Sequence, residues 1–209
     1  MSGSSVLCHR ILSRLPRRHS DQASQIVEFA VALPLLIMFV VGIFDFSSAF
    51  TLKMKLTAAA RDAARSAASL PQNDLGNAFA PGTAPISVYS AYQVVDNYIL
   101  AQKLNDCGLS SANPTQSGLT WQYSATGNGC PGTGVTVIVN RGYVFPRTGA
   151  QPPANCAAQA AGPDVNIVGA CVTVQYAYRW QFDRLISLFG LSGSLPGALT
   201  TSAVAINEN

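Results

Sequence analysis

Phe29-Ala30-Val31-Ala32-Leu33-Pro34-Leu35-Leu36-Ile37-Met38-Phe39-Val40-Val41-Gly42-Ile43-Phe44 runs without one charged residue, and Glu28 and Asp45 close it on either side. A helix needs about 20 residues to cross roughly 30 Å of hydrocarbon, so the strict run is short. Ile26, Val27, Phe46, Ala49 and Phe50 extend it to a spanning length, provided that Glu28 and Asp45 lie near the interfaces or find partners. A buried core helix does not suit so apolar a run near a terminus. A cleavable secretory signal fits in part, with Arg17-Arg18-His19 as its basic region and Ser47-Ser48-Ala49 as its small-residue cleavage site.

Three features favour a retained anchor. Glu28 lies just inside the start of the run, where an acid costs roughly 2.5 to 3.5 kcal/mol at the bilayer centre and less near an interface, a poor choice for a disposable leader. Pro34 removes a helical hydrogen bond, which membrane helices tolerate. Helix-forming sequence also continues through Thr51–Leu70, TLKMKLTAAARDAARSAASL, and stops at Pro71. One helix from about Ser24 to Leu70 would be roughly 69 Å long at 1.5 Å per residue, so about half of it must project from the membrane. The organisation expected is a basic leader over 1–23, a transmembrane helix over 24–50, an extension of the same helix over 51–70 and an exported domain over 71–209. Ala60, Ala64 and Ala68 fall on one line of the extension, with Ala59, Ala63 and Ala67 beside it. Small residues at this spacing let a second backbone come close, either a partner helix or the chain's own domain. A solvated helix rich in alanine has the same composition.

Charged residues make up 11% of the chain against 48% hydrophobic, well below the roughly 25% charged of a typical soluble domain. A net charge of +3 is too small to argue for nucleic acid, but its distribution is uneven: Arg10, Arg14, Arg17 and Arg18 all precede the first acid, Asp21. Lys53, Lys55, Arg61 and Arg65 follow the span at a similar distance, so the positive charges alone do not orient it. The cysteines do. Cys8 lies in the basic arm, whereas Cys107, Cys130, Cys156 and Cys171 lie in a second half rich in Gly, Pro, Asn and Ser, with no CxxC pair and no histidine after His19. That pattern indicates two disulfides rather than a zinc site, and so an oxidising compartment outside the cytoplasm. Three pairings are open; Cys107 with Cys130 and Cys156 with Cys171 closes the shorter loops.

After a Pro/Gly/Asn-rich connector to about Pro85, Val88, Ala91, Tyr92, Val95, Ile99 and Leu104 recur at helical spacing, which predicts an amphipathic helix over Ser87–Asn105 stopped by Gly108. Strands are expected at Trp121–Ser124, Val135–Val139, Val172–Trp180 and Thr200–Ile206. The fold class is therefore α+β: a long N-terminal transmembrane helix followed by a small antiparallel sheet with a packed helix. Arg147–Gly169 is a loop that needs a disulfide to hold it. Asp183–Gly190, DRLISLFG, is a short amphipathic turn whose Ile186, Leu188 and Phe189 either pack on the sheet or meet a partner or the membrane surface.

Ser24 to Leu36, SQIVEFAVALPLL, resembles the start of TadE-like pseudopilins, from the tight-adherence branch of type IV pilus systems. Gly42-Ile43-Phe44-Asp45-Phe46 and the tract Ala59-Ala60-Arg61-Asp62-Ala63-Ala64-Arg65 continue the likeness. It extends more loosely to Val172–Tyr176 and Leu199–Ala205. The resemblance implies a subunit in the bacterial inner membrane, N-terminus cytoplasmic and domain periplasmic. The implied partners are membrane lipid, other pilin or pseudopilin subunits and the pilus assembly platform. It also implies a prepilin peptidase cutting between Ala23 and Ser24, five residues before Glu28; the family's usual glycine before the cut is here Ala23. Cleavage would create an ammonium at Ser24, and the Glu28 carboxylate could pair with the amine of a neighbouring subunit and offset its desolvation.

No catalytic pattern accompanies these features. The exported part has no histidine, the usual general base and commonest metal ligand. Gly127–Gly134, GNGCPGTG, lacks the Gly-Lys-Ser/Thr ending of a phosphate loop and is a turn. No GxSxG, HExxH or EF-hand pattern is present. The expectation is a non-catalytic subunit without a cofactor, metal or nucleic-acid partner. The alternative is a secreted or surface-anchored binding domain whose N-terminal segment is a cleaved signal.

Overall fold

The computed structural model describes residues 18–75, 80, 82–145, 156, 168–188 and 195–208. The basic arm before Arg18, most of the Arg147–Gly169 loop and the end of the Asp183–Gly190 segment lie outside the described residues. The chain divides into two units, one ending at Ile43 and one of Phe44–Asn209. Helix α1, Arg18–Ser69, carries Pro34 within it. The tract 51–70 belongs to the second unit.

The second unit is an α+β layer. Its strands are β1 (Thr115–Ser117), β2 (Thr120–Ala125), β3 (Val135–Val144), β4 (Val168–Ala177) and β5 (Ala198–Ile206), with α2 (Ile86–Ala101) before the sheet and α3 (Gln181–Leu188) between β4 and β5. The sheet order is β1-β2-β3-β4-β5 and every neighbouring pair is antiparallel, an up-and-down meander built from chain-adjacent strands. Val135, Val137 and Val139 of β3 and Ala170, Val172 and Val174 of β4 alternate onto one face, as the two-residue period of a strand requires. Leu52, Leu56, Ala60, Ala64 and Ala68 of α1 and Val88, Ala91, Val95 and Ile99 of α2 complete the same core, their spacing that of an apolar helical stripe. The opposite face holds a smaller cluster of Tyr143, Cys156 and Cys171.

The structure differs from the sequence expectation at several places; β4, for one, runs Val168–Ala177 rather than Val172–Trp180. Helix α2 stops at Ala101, not Asn105. Leu104 N–H bonds the Ile99 carbonyl and Lys103 N–H that of Leu100, with Lys103 at φ 56°. This is a left-handed C-cap with Leu104 packed on the core, made by a lysine where glycine would have signalled it. Strand β1, which no periodicity announces because all three of its residues are exposed, pairs with β2 across Gly118-Leu119. Gly118 has φ +57°, the conformation a two-residue hairpin asks of its first turn position. Strand β3 continues past Val139 to Val144 through a register shift between Asn140 and Tyr143. The Asn140 side chain fills that bulge, accepting from Gly142 N–H and donating to the Cys156 carbonyl. The Gly127–Gly134 segment is the β2–β3 turn. At Gly134, φ +70°, an added Cβ would stand 2.0 Å from the Ala125 carbonyl oxygen, so the turn closes only without a side chain.

Cys107 and Cys130 are joined with Cα atoms 5.4 Å apart, tying the segment after α2 to the β2–β3 turn. Cys156 and Cys171 are joined at 5.5 Å, tying the long loop to β4 on the face away from the helices. Both separations are ordinary for disulfides.

Candidate functional site

The family-like residues of the first unit lie on α1. Ser24 Oγ is 3.5 Å from Glu28 Oε1, one turn away, and both residues are exposed. The Ala23–Ser24 bond, the proposed cleavage point, is inside the helix rather than in an extended segment. Ile26, Val27, Phe29, Val31, Leu35, Leu36 and Phe39 are exposed. The helix is long and apolar enough to cross a bilayer, which makes it a membrane-anchor candidate.

The second half of α1 has the opposite character. Ala59, Ala60, Ala63, Ala64, Ala67 and Ala68 are all buried, and the core cluster that contains five of them is filled by α2 and the sheet. The groove made by the small residues is thus occupied by the chain's own domain. Methyl-sized side chains allow this close approach, and short polar side chains fasten it. Thr57 Oγ1 lies 2.9 Å from Thr201 Oγ1 on β5, and Ser66 Oγ lies 2.6 Å from Ser90 Oγ on α2.

Both ends of this buried stretch carry a charged side chain removed from water. At the far end, Arg141 of β3 is fully buried. It donates to the Leu70 carbonyl just past α1 at 3.2 Å and to Asn207 Oδ1 at 3.0 Å. A cation here meets the negative end of the helix dipole. Burial presses the guanidinium below its ordinary pKa, and the Asp74 carboxylate opposes that shift. At the near end, Asp45 is 4% exposed. Its Oδ1 accepts from the Tyr178 hydroxyl at 2.8 Å, and its Oδ2 accepts from Phe182 N–H at 2.9 Å in the first turn of α3. One carboxylate therefore caps α3 and holds the end of β4 against α1. Burial, then the Asp45 hydrogen bond and charge, push the Tyr178 phenol up to about 12.

The sequence marks Asp45 as the end of the apolar run but does not reveal Tyr178 and Phe182, more than a hundred residues away. Arg141 has a weak signal, a cation two residues past the end of a β-branched run. Among the described residues no group of three or more His, Cys, Asp or Glu could hold a metal ion.

Residues 23–65 match the family described as TadE-like protein. The TadE-like segment thus begins at the expected cleavage point and ends within the buried alanine tract, covering the exposed stretch of α1, Asp45 and most of the stretch built into the domain. The suspected cut and Glu28 fall inside it; the four disulfide cysteines fall outside it. No curated protein and no solved structure gives a match to the chain. The match of this segment, to a family whose members associate with pilus components, suggests involvement in the Tad pilus system.

Proposed function

We propose that this chain is a minor pseudopilin-like subunit, anchored in the bacterial inner membrane by residues 24–50, that supports assembly of a tight-adherence pilus by packing rather than by catalysis. Residues 1–23 form the cytoplasmic leader, and the cystine-bearing domain lies on the periplasmic side. Its partners are membrane lipid, other pilin or pseudopilin subunits and the assembly platform, with a prepilin peptidase acting between Ala23 and Ser24. The observation that carries this reading is the single helix covering the TadE-like segment, exposed and apolar before Asp45 and built into a folded domain after it.

The competing reading, a secreted binding domain released by cleavage near Ser47-Ser48-Ala49, sits poorly with this geometry. Such a cut would remove Asp45, the acceptor for both Tyr178 and Phe182. Intact mass and N-terminal sequencing of the protein from membranes separate the two: a start at Ser24 is expected, and a start near Phe50 would favour secretion. Glu28→Leu is expected to impair processing or pilus assembly. Unchanged processing together with normal piliation would remove the role given to this carboxylate.

A further inference from the structure

The two edges of the sheet are unlike. Strand β1 is three residues long, polar and wholly exposed, and so short an edge offers a foreign strand little to pair with. Strand β5 is nine residues long, holds no charged residue and no proline, and pairs with β4 without a register shift. Charges, prolines and bulges are the usual means of blunting an edge. β5 has none of them, and among the described residues no strand pairs with its far side.

A cleft of about 700 Å³ opens at this edge, with Arg61 and Arg65 of α1, Phe145, and Val204, Ala205 and Ile206 of β5 on its walls. Successive strand residues point to opposite faces of a sheet. Val204 packs with the Tyr143 cluster on one face and Ala205 with the main core on the other, so a cleft that touches both wraps around the edge of the strand. Its two sides differ in chemistry. On the side of α1 stand Arg61 and Arg65, both exposed, and Glu208 is the one acid on the walls. On the other side the walls are Phe145, Val204 and Ile206, the last 52% exposed.

We propose that the free edge of β5 is a strand-addition site for an extended segment of a partner protein whose side chains alternate between acidic and apolar. Backbone hydrogen bonds to the open edge supply the pairing. The acidic row of the added strand meets Arg61 and Arg65, and the apolar row packs on Phe145 and Val204. The period of two in the ligand follows from a cleft that is cationic on one side of the strand and apolar on the other. The site lies wholly within the domain, so it stands whether or not α1 anchors the chain in a membrane.

The test uses the full chain in detergent and a labelled, end-blocked peptide of alternating valine and glutamate, read by fluorescence anisotropy and by amide hydrogen exchange over residues 198–206. The outward amides of β5 are expected to exchange fast in the free chain and about tenfold more slowly with saturating peptide, as new hydrogen bonds form on them. N-methylation of the valine amides and of the glutamate amides removes donors along opposite edges of the peptide. One methylated form is expected to bind as the parent does, and the other, stripped on the edge that faces β5, about tenfold more weakly. Arg61→Gln with Arg65→Gln, both at exposed sites, is expected to weaken binding of the glutamate peptide roughly fivefold and to leave its glutamine counterpart unaffected. Equal binding of the two methylated forms, or no slowing of β5 exchange at millimolar peptide, overturns strand addition. Slow exchange of these amides in the free, dilute chain overturns it too, because the edge is then already covered. Protection of β5 that grows with protein concentration in the absence of peptide means that a second copy of the chain pairs there, and overturns the partner assigned.

Discussion

The two halves of α1 are both apolar and both helical, yet they meet different surroundings. Before Asp45 the helix carries Leu, Ile, Val and Phe, and most of these large side chains are exposed. After Asp45 one face is alanine, and it is buried against α2 and the sheet. Side-chain size is what separates them. Large apolar groups all round a helix suit a solvent that is itself apolar, whereas methyl-sized groups bring little area but let a helix backbone approach a sheet closely. Asp45 stands at the change and ties the second half to β4 and α3.

The sharpest way to break this contrast is to put a large residue where the small ones are. Ala64→Leu is expected to destabilise the domain by roughly 3 kcal/mol, since overpacking a filled core forces neighbours to shift. Denaturant unfolding of the full chain in detergent, followed by near-ultraviolet circular dichroism, checks it, and an unchanged midpoint would mean that the alanine face is not closely packed. At the junction, Asp45→Asn keeps one carbonyl acceptor but loses the charge and the second acceptor. A loss of about 2 kcal/mol is expected in the same measurement, the scale of a hydrogen bond to a charged group.

Alkaline titration probes the junction and the core together. The folded state raises Tyr178 from 10.0 to about 12, chiefly by burial and its bond to Asp45. It raises Tyr92 equally, to about 12, by burial and then the charge of Asp96. A raised folded pKa favours the neutral phenol, so this contribution is complete below pH 10 and is lost as pH climbs towards about 12. Tyrosinate absorbance is expected to rise together with unfolding in that window, and full ionisation near pH 10 in a folded chain would contradict the burial of these rings. The smallest effect belongs to the first half of α1. Leu36→Ala, at an exposed site, is expected to change domain unfolding by no more than about 0.5 kcal/mol. A larger loss would show that the exposed half also packs on protein.

Much of this is legible from residue types. The β-branched run Val135–Val139 and the alternation after Cys171 announce β3 and β4, and the 88-91-92-95-99 spacing announces α2. The C-terminal end of α2 is not legible, because a lysine at φ 56° does the work expected of glycine. Neither is β1, whose exposed Thr115–Ser117 has no buried face to impose a period. Within the candidate site, Glu28 stands out as an acid at the start of the apolar run and the alanine lines by their spacing along one helix, whereas Ser24 is marked only by the resemblance to TadE-like pseudopilins. Arg141 and the partners of Asp45 do not, since nothing local in the chain links position 45 with 178 and 182.

The sequence alone determined the long apolar helix, four of the five strands and the small-residue face, because each depends on intervals of two, three or four residues along the chain. Only the tertiary structure decided that the chain's own domain fills the alanine groove, and that a carboxylate at the end of the apolar run caps a helix far along the chain. Those outcomes depend on which surfaces the meander brings beside α1, and contacts between distant segments leave no periodic trace in the residues that make them.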